Sequence, residues 1–152
     1  MIETSSLAID DLRRDFPVIV QFPIAWGDMD ALSHVNNTVY FRHFESARVA
    51  YLTKINFIDP AANDGVGPIL IHTHCDFRKA LAYPDTVSIG GRVTEISNDR
   101  FTMEYHLVSH HLQKIAAEGK GILLAYNYRD KRKAELPEVI RQNIQKVEGR
   151  LI

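Results

Sequence analysis

Trp26-Gly-Asp-Met-Asp-Ala-Leu-Ser-His-Val-Asn-Asn-Thr-Val-Tyr40 decides how this chain reads. The stretch places two carboxylates (Asp28, Asp30), an imidazole (His34) and two side-chain amides (Asn36, Asn37) in one short loop. An apolar, strand-like run from Val18 to Ala25 leads in, and a helical pattern from about Thr38 leads out. Asp, Ser and Asn often do no more than cap a helix or build a turn. One helix needs one cap, so five polar groups point to chemistry. A carboxylate beside a helix N-terminus suits acyl transfer. The helix N–H groups and dipole polarise a carbonyl, and the carboxylate attacks it or activates water.

The outgoing helix is predicted over Thr38 to Ile55. Tyr40, Phe44, Ala47 and Tyr51 recur at spacings of four, three and four and share a face, widened by Phe41 and Leu52. Arg42, Glu45 and Arg48 fall opposite at three-residue spacing and are expected to pair. Residues 56–68 carry Pro, Asn, Asp and Gly and read as a loop.

Upstream, Leu7 to Arg14 reads as a short helix, acidic early and basic late. Pro23 within the first strand points to an edge or a bulge. Downstream, the chain reads as strands. Ile69 to Phe77 alternates, with Ile69, Ile71 and Phe77 on one face and His72, His74 and Asp76 on the other. Thr86 to Ile96 follows, where Gly90-Gly91 suggests a bulge or bend. A turn at Asn98-Asp99 joins it to a strand through Phe101, Met103, Tyr105 and Leu107. Ile115 to Arg129 is a long strand with Ile122, Leu124, Tyr126 and Tyr128 in phase. Leu136-Pro137-Glu138 starts a last helix, with Pro at its first position. Hairpin-connected strands imply an antiparallel sheet, and one long helix must cover one of its faces.

With 152 residues and no linker or repeat, the chain reads as a single domain over 1–152. A 45% hydrophobic and 24% charged composition is ordinary for a globular protein, and a net charge of -1 gives no reason to expect nucleic acid or an acidic membrane. Cys75 is the single cysteine, which excludes an internal disulfide framework and a thiolate metal cluster. The N-terminus lacks the basic-then-apolar order of a signal peptide, and no apolar run approaches the roughly 20 residues that span a bilayer. The reading is cytoplasmic. No Gly-x-Ser-x-Gly elbow, P-loop or dinucleotide fingerprint is present.

The pattern Asp28-x-Asp30-x-x-x-His34-Val35-Asn36-Asn37-x-x-Tyr40, with Phe44-Glu45 and Arg48 following on a helix, resembles the hotdog-fold acyl-CoA thioesterases. The branch is that of 4-hydroxybenzoyl-CoA thioesterase. The resemblance implies an α+β hotdog fold, a five-stranded antiparallel sheet wrapped around a long central helix. It implies an acyl-CoA substrate, no metal and no bound cofactor. It also implies a homodimer or homotetramer joined sheet edge to sheet edge, with sites at the subunit junction. Carried onto this chain, Asp30 is the catalytic carboxylate and the backbone N–H near Asn37 binds the thioester oxygen. Where the family usually has Gly, this chain has Ser33, and a Gly there serves a backbone of positive φ.

Whether Asp30 is a nucleophile or a general base stays open. Asp28 is expected to brace the loop. His34 is either a second catalytic group or a hydrogen-bonding brace. Asn36 and Asn37 orient the loop, and Tyr40 packs with its hydroxyl near the site. Arg100 is the first choice among the basic residues for coenzyme A phosphates, with Arg78, Lys79 and the cluster 129–133 behind it. His72, His74 and Asp76 converge on one strand face, but no fourth metal ligand is anchored nearby. Two rival readings remain: a hotdog enoyl-CoA hydratase using Asp30 and His34, and a non-catalytic acyl-CoA sensor.

Overall fold

The computed structural model describes residues 7–152. The leader-free reading of the N-terminus falls partly on residues 1–6, outside the described residues. The elements are α1 (Ala8–Asp15), β1 (Val18–Pro23), α2 (Asn37–Lys54), β2 (Val66–Phe77), β3 (Thr86–Ile96), β4 (Arg100–Ser109), β5 (Lys114–Asn127), β6 (Arg132–Lys133) and α3 (Glu138–Glu148). The strands form one antiparallel sheet in the order β1-β3-β4-β5-β2, and the two-residue β6 pairs with β5. The expected five strands are thus joined by a short sixth at the margin. Among the described residues no helix is long and apolar enough to cross a membrane.

The sheet curls around α2. Tyr40, Phe44, Ala47, Tyr51 and Leu52 of that helix are buried, as their spacing predicts. Each such large side chain contributes about 1.5–3 kcal/mol on full burial. Phe44 is fully enclosed and stacks on Tyr105 of β4 with ring centroids 5.1 Å apart. The opposite face of α2 does not form the expected triad. Arg42 instead reaches Asp28, and Arg48 donates to the Tyr105 hydroxyl. Those longer reaches exchange a pairing between mobile surface side chains for contacts with fixed partners.

β5 meets α2 through small residues. A Cβ at Gly119 would run into the Phe44 ring and stand 2.9 Å from the His74 carbonyl oxygen. A Cβ at Gly121 would press on the Tyr105 hydroxyl at 3.1 Å. Leu123 and Ala125 continue this helix-facing row in the core, so Ile122, Leu124 and Tyr126 lie in the opposite phase. Gly90-Gly91 makes no bulge, since β3 pairs in register with β4 there and slips only between Val93 and Glu95. Gly90 is small because Leu12 and Phe16 lie against it, which lets α1 dock on the sheet's outer face. In β2 the register slips between Leu70 and His72. The bulge turns Leu70, rather than Ile69 or Ile71, toward the groove beside α2, where it joins Thr73. Pro137 caps α3 instead of occupying its first turn.

Gly119→Ala tests this close approach. Overpacking a well-filled core costs about 1–3 kcal/mol. Thermal unfolding should fall by several degrees relative to wild type, since 1 kcal/mol moves a domain of this size by roughly 2–4 °C. An unchanged melting temperature would show that Phe44 does not need the space.

Candidate active site

The chain leaves β1 at Pro23, makes one turn of 3-10 helix at Trp26–Asp28, and enters a tight loop closed by a bridge between Met29 and Val35. Asp28 is the brace the sequence suggested. One of its oxygens accepts from the Ala25 N–H at 2.9 Å, and the other accepts from the Arg42 guanidinium at 2.9 Å. Its carbonyl accepts from the Asn36 N–H at 2.9 Å. One residue therefore ties the exit of β1, the loop and the second turn of α2. The Arg42 guanidinium is largely exposed, so the pair contributes at most about 1 kcal/mol.

Asp30 is fixed differently. Its Oδ1 accepts from the backbone N–H of Leu32 at 2.8 Å and of His34 at 3.4 Å. Its own N–H donates to the His34 carbonyl at 2.8 Å. This Asx turn holds one oxygen against the loop backbone and leaves Oδ2 for other partners. Ser33, between them, has φ 61°. The position where the resemblance leads one to expect Gly is thus in the left-handed region, and Ser occupies it at a steric cost.

Asn36 is the N-cap of α2, accepting from the Thr38 N–H at 3.1 Å. Asn37 follows as the first helical residue, with an N–H that no carbonyl can reach within the helix. Behind the loop, the Val35 N–H donates to the Leu81 carbonyl at 2.8 Å, and the Tyr40 hydroxyl donates to the Lys79 carbonyl at 3.4 Å. Burial pushes the Tyr40 phenol up, so it stays protonated. The Tyr40 and Phe77 rings meet edge to face, 4.9 Å apart.

An open cavity of about 560 Å³ brings these groups together. Its walls hold Asp30, His34, Asn36, Asn37 and Tyr40 from the loop and helix, with Phe77, Arg78 and Lys79 from the end of β2. Residues that carry a carboxylate, a helix-start N–H and two aromatic rings thus line one space. The sequence reading found the first five. It noted Arg78 and Lys79 only as basic residues, and missed Phe77 as a wall.

Arg100 is not at this cavity. It lies at the other end of the sheet, bonded to Asp99 at 2.8 and 3.2 Å. His72 and His74 do share a strand face, with ring centroids 5.8 Å apart. No group of three or more His, Cys, Asp or Glu among the described residues is placed to hold a metal ion. Burial beside Asp76 pushes the Cys75 thiol up to about 11, so it is not a ready nucleophile.

The profile of the thioesterase-like superfamily matches residues 24–144. The chain belongs to that superfamily. Its fold is the hotdog fold, and its chemistry is that of a thioester hydrolase. A thioesterase from Thermus thermophilus, solved with coenzyme A and zinc, is 30% identical with a TM-score of 0.79, covering 91% of this chain and 98% of that one. A putative thioesterase from Pseudomonas aeruginosa is 27% identical with a TM-score of 0.74, covering 85% of this chain and 98% of that one. A putative esterase of Aquifex aeolicus is 30% identical over 90 residues, 59% of this chain and 70% of its own length.

Ser33→Gly should stabilise the protein. It removes a left-handed penalty of about 1–2 kcal/mol and adds about 0.5–1 kcal/mol of chain entropy in the unfolded state. A melting temperature raised by a few degrees at most, with thioesterase kcat kept, is expected. A lower melting temperature would mean that the Ser33 side chain makes a compensating contact.

Proposed function

We propose that this protein hydrolyses acyl-CoA thioesters at the cavity between the Asp30 loop and the end of β2. The observation that carries this is the pairing of a backbone-anchored carboxylate with an unspent N–H at the start of α2 on one cavity. The Asn37 N–H donates to the thioester oxygen as negative charge builds there. Asp30 then acts in one of two ways. As nucleophile, its oxygen bonds to the carbonyl carbon, the thiolate of coenzyme A leaves, and water cleaves the anhydride. As general base, it takes a proton from water, whose oxygen attacks while the thiolate leaves and collects a proton. Both need the free carboxylate oxygen and neither needs a metal.

Asn36 holds the helix start in place, and Tyr40 with Phe77 walls the acyl end. His34 borders the same space and orients substrate or water. Lys79 and Arg78 line the same cavity and would offer point charges to the phosphates of coenzyme A, Arg78 while paired with Glu118 at 3.1 Å.

The working unit is proposed to be at least a homodimer paired along β2. This strand is an edge of twelve residues, and Leu70, Ile71 and Phe77 on it are 37%, 47% and 49% exposed. The other edge, β1, has six residues ending in Pro23. A long unblocked edge is a template for a second strand. Two-fold pairing of an edge with itself is antiparallel. It sets the Val66 end of one β2 beside the Phe77 end of the other. Arg100 lies on the Val66 side, in the row of Leu124 and Ile69, so its contact with coenzyme A is proposed across that junction. Sedimentation should give a dimer or tetramer at micromolar protein, and a stable monomer would remove the pairing and the Arg100 role together.

Asp30→Asn keeps size and removes charge. The fold should survive while kcat for an acyl-CoA falls about 10²–10⁴-fold, the usual loss for a general base, with KM little changed. Lys79→Ala should show the reverse split, a raised KM with kcat retained. His34→Ala should cost less than Asp30→Asn; equal damage, with enoyl-CoA hydrated faster than acyl-CoA is cleaved, would favour the hydratase reading. Near wild-type hydrolysis by Asp30→Asn would end the assignment of this residue.

A further inference from the structure

We propose that a crevice between α1 and α3 is a second binding site, one for a phosphate-bearing anion. The crevice measures about 470 Å³ and is walled by Arg13, Arg14, Phe16, Arg92, Glu148 and Arg150. Four arginines, two on α1, one on β3 and one just beyond α3, line it together with two acidic residues, Asp15 and Glu148.

The ion pairs are unevenly spread. Arg14 is occupied by Asp15 at 3.0 Å and Asp11 at 3.3 Å, and Arg92 by Glu104 at 2.8 Å. Glu148 accepts from the Tyr51 hydroxyl and, at 3.2 Å, from the Val93 N–H on one oxygen, Oε2, and brings one negative charge to the crevice. Arg13 and Arg150 have no carboxylate within 4.0 Å among the described residues. Arg92 lies over the Phe16 ring, 4.3 Å from its centroid, and donates to the Asp15 carbonyl at 3.3 Å. The crevice thus holds two guanidinium groups, those of Arg13 and Arg150, without an ion-pair partner among the described residues.

Helix ends alone do not account for this. Arg13 and Arg14 suit the negative end of α1. Arg150, however, lies beyond Gly149, the left-handed residue that stops α3. Bringing it to the same hollow sets like charges together, and an anion offsets that repulsion. Guanidinium forks match phosphate oxygens two at a time, and the volume exceeds what one phosphate fills. A phosphoester or diphosphate fits both facts.

The crevice is a helix length from the catalytic cavity. Lys54 ends α2 and donates to the Pro17 carbonyl at the crevice wall, whereas Asn37 begins it. Eighteen residues span about 27 Å. The phosphate comes either from a free phosphorylated metabolite or from the nucleotide end of coenzyme A presented by another subunit.

Calorimetric titration with inorganic pyrophosphate tests the site. Wild type should bind, and Arg13→Gln with Arg150→Gln should weaken binding at least tenfold, as loss of one charged hydrogen bond or more requires. Both side chains are exposed, and an unchanged melting temperature checks that the double variant folds. If the double variant also raises KM for acyl-CoA, the ligand is the substrate's own nucleotide; if KM is unchanged, it is a separate metabolite. Asp30→Asn should bind pyrophosphate like wild type, so a failed catalytic assignment leaves this result standing. No binding at about 1 mM pyrophosphate, or equal binding by the double variant, overturns the proposal.

Discussion

Phe44 reaches the centre of the sheet because residue 119 opposite it has no side chain. That single close approach sets the distance between α2 and β5, and with it the stack of Phe44 on Tyr105. Arg48, one turn further along α2, then donates to the Tyr105 hydroxyl at 3.2 Å and fixes the helix about its own axis. Once the helix is fixed in depth and rotation, its first residue has one location. The N–H of Asn37 is an anchored group because of contacts two turns away from it. The far end is secured independently. Tyr51 donates to Glu148 of α3, and Asn143 of α3 donates to the Ile55 carbonyl at 2.9 Å.

The loop that carries Asp30 is held to this helix by polar contacts. Asp28 joins three segments, and the backbone of Val35 and Asn36 bonds outward to Leu81 and Asp28. These bonds fix so short a loop that one residue, Ser33, must turn left-handed. The strain is the cost of folding Asp30 back on the N–H groups of Leu32 and His34. A carboxylate with one oxygen so bonded keeps its direction while the other oxygen stays available. Preorganisation of this kind is what acyl transfer needs, since reorientation at the moment of reaction would add to the barrier.

The candidate site was legible in the sequence where its parts are contiguous. Asp30, His34, Asn36, Asn37 and Tyr40 lie within eleven residues, and one loop followed by one helix turn brings them together. Phe77, Arg78 and Lys79 reach the same cavity only because β2 runs antiparallel along the sheet edge. No local pattern announces that. Helix α2 was legible because its buried face is one-sided. β5 was not, because Leu123 and Leu124 are both buried and its glycine face looks like the weaker one. The slip between Leu70 and His72 reversed the expected facing of Ile69 and Ile71, as a one-residue insertion must. Gly90 marked a close approach, which the sequence signals in the same way as a bulge.

The cavity of a single chain is chemically incomplete in one respect. Asp30, His34, Asn36 and Asn37 are all exposed, and the Phe77 ring at the rim is half uncovered. A carbonyl polarised by one N–H in open water gains little, because water competes for the same oxygen. A wall is therefore required beside Phe77. The residues leading to it, from Ile71 to His74, are exposed in sequence and belong to a strand with an unpaired edge. The edge that needs a partner for its backbone and the cavity that needs a wall for its chemistry are two ends of one element, so a second copy aligned on β2 would meet both demands with one contact.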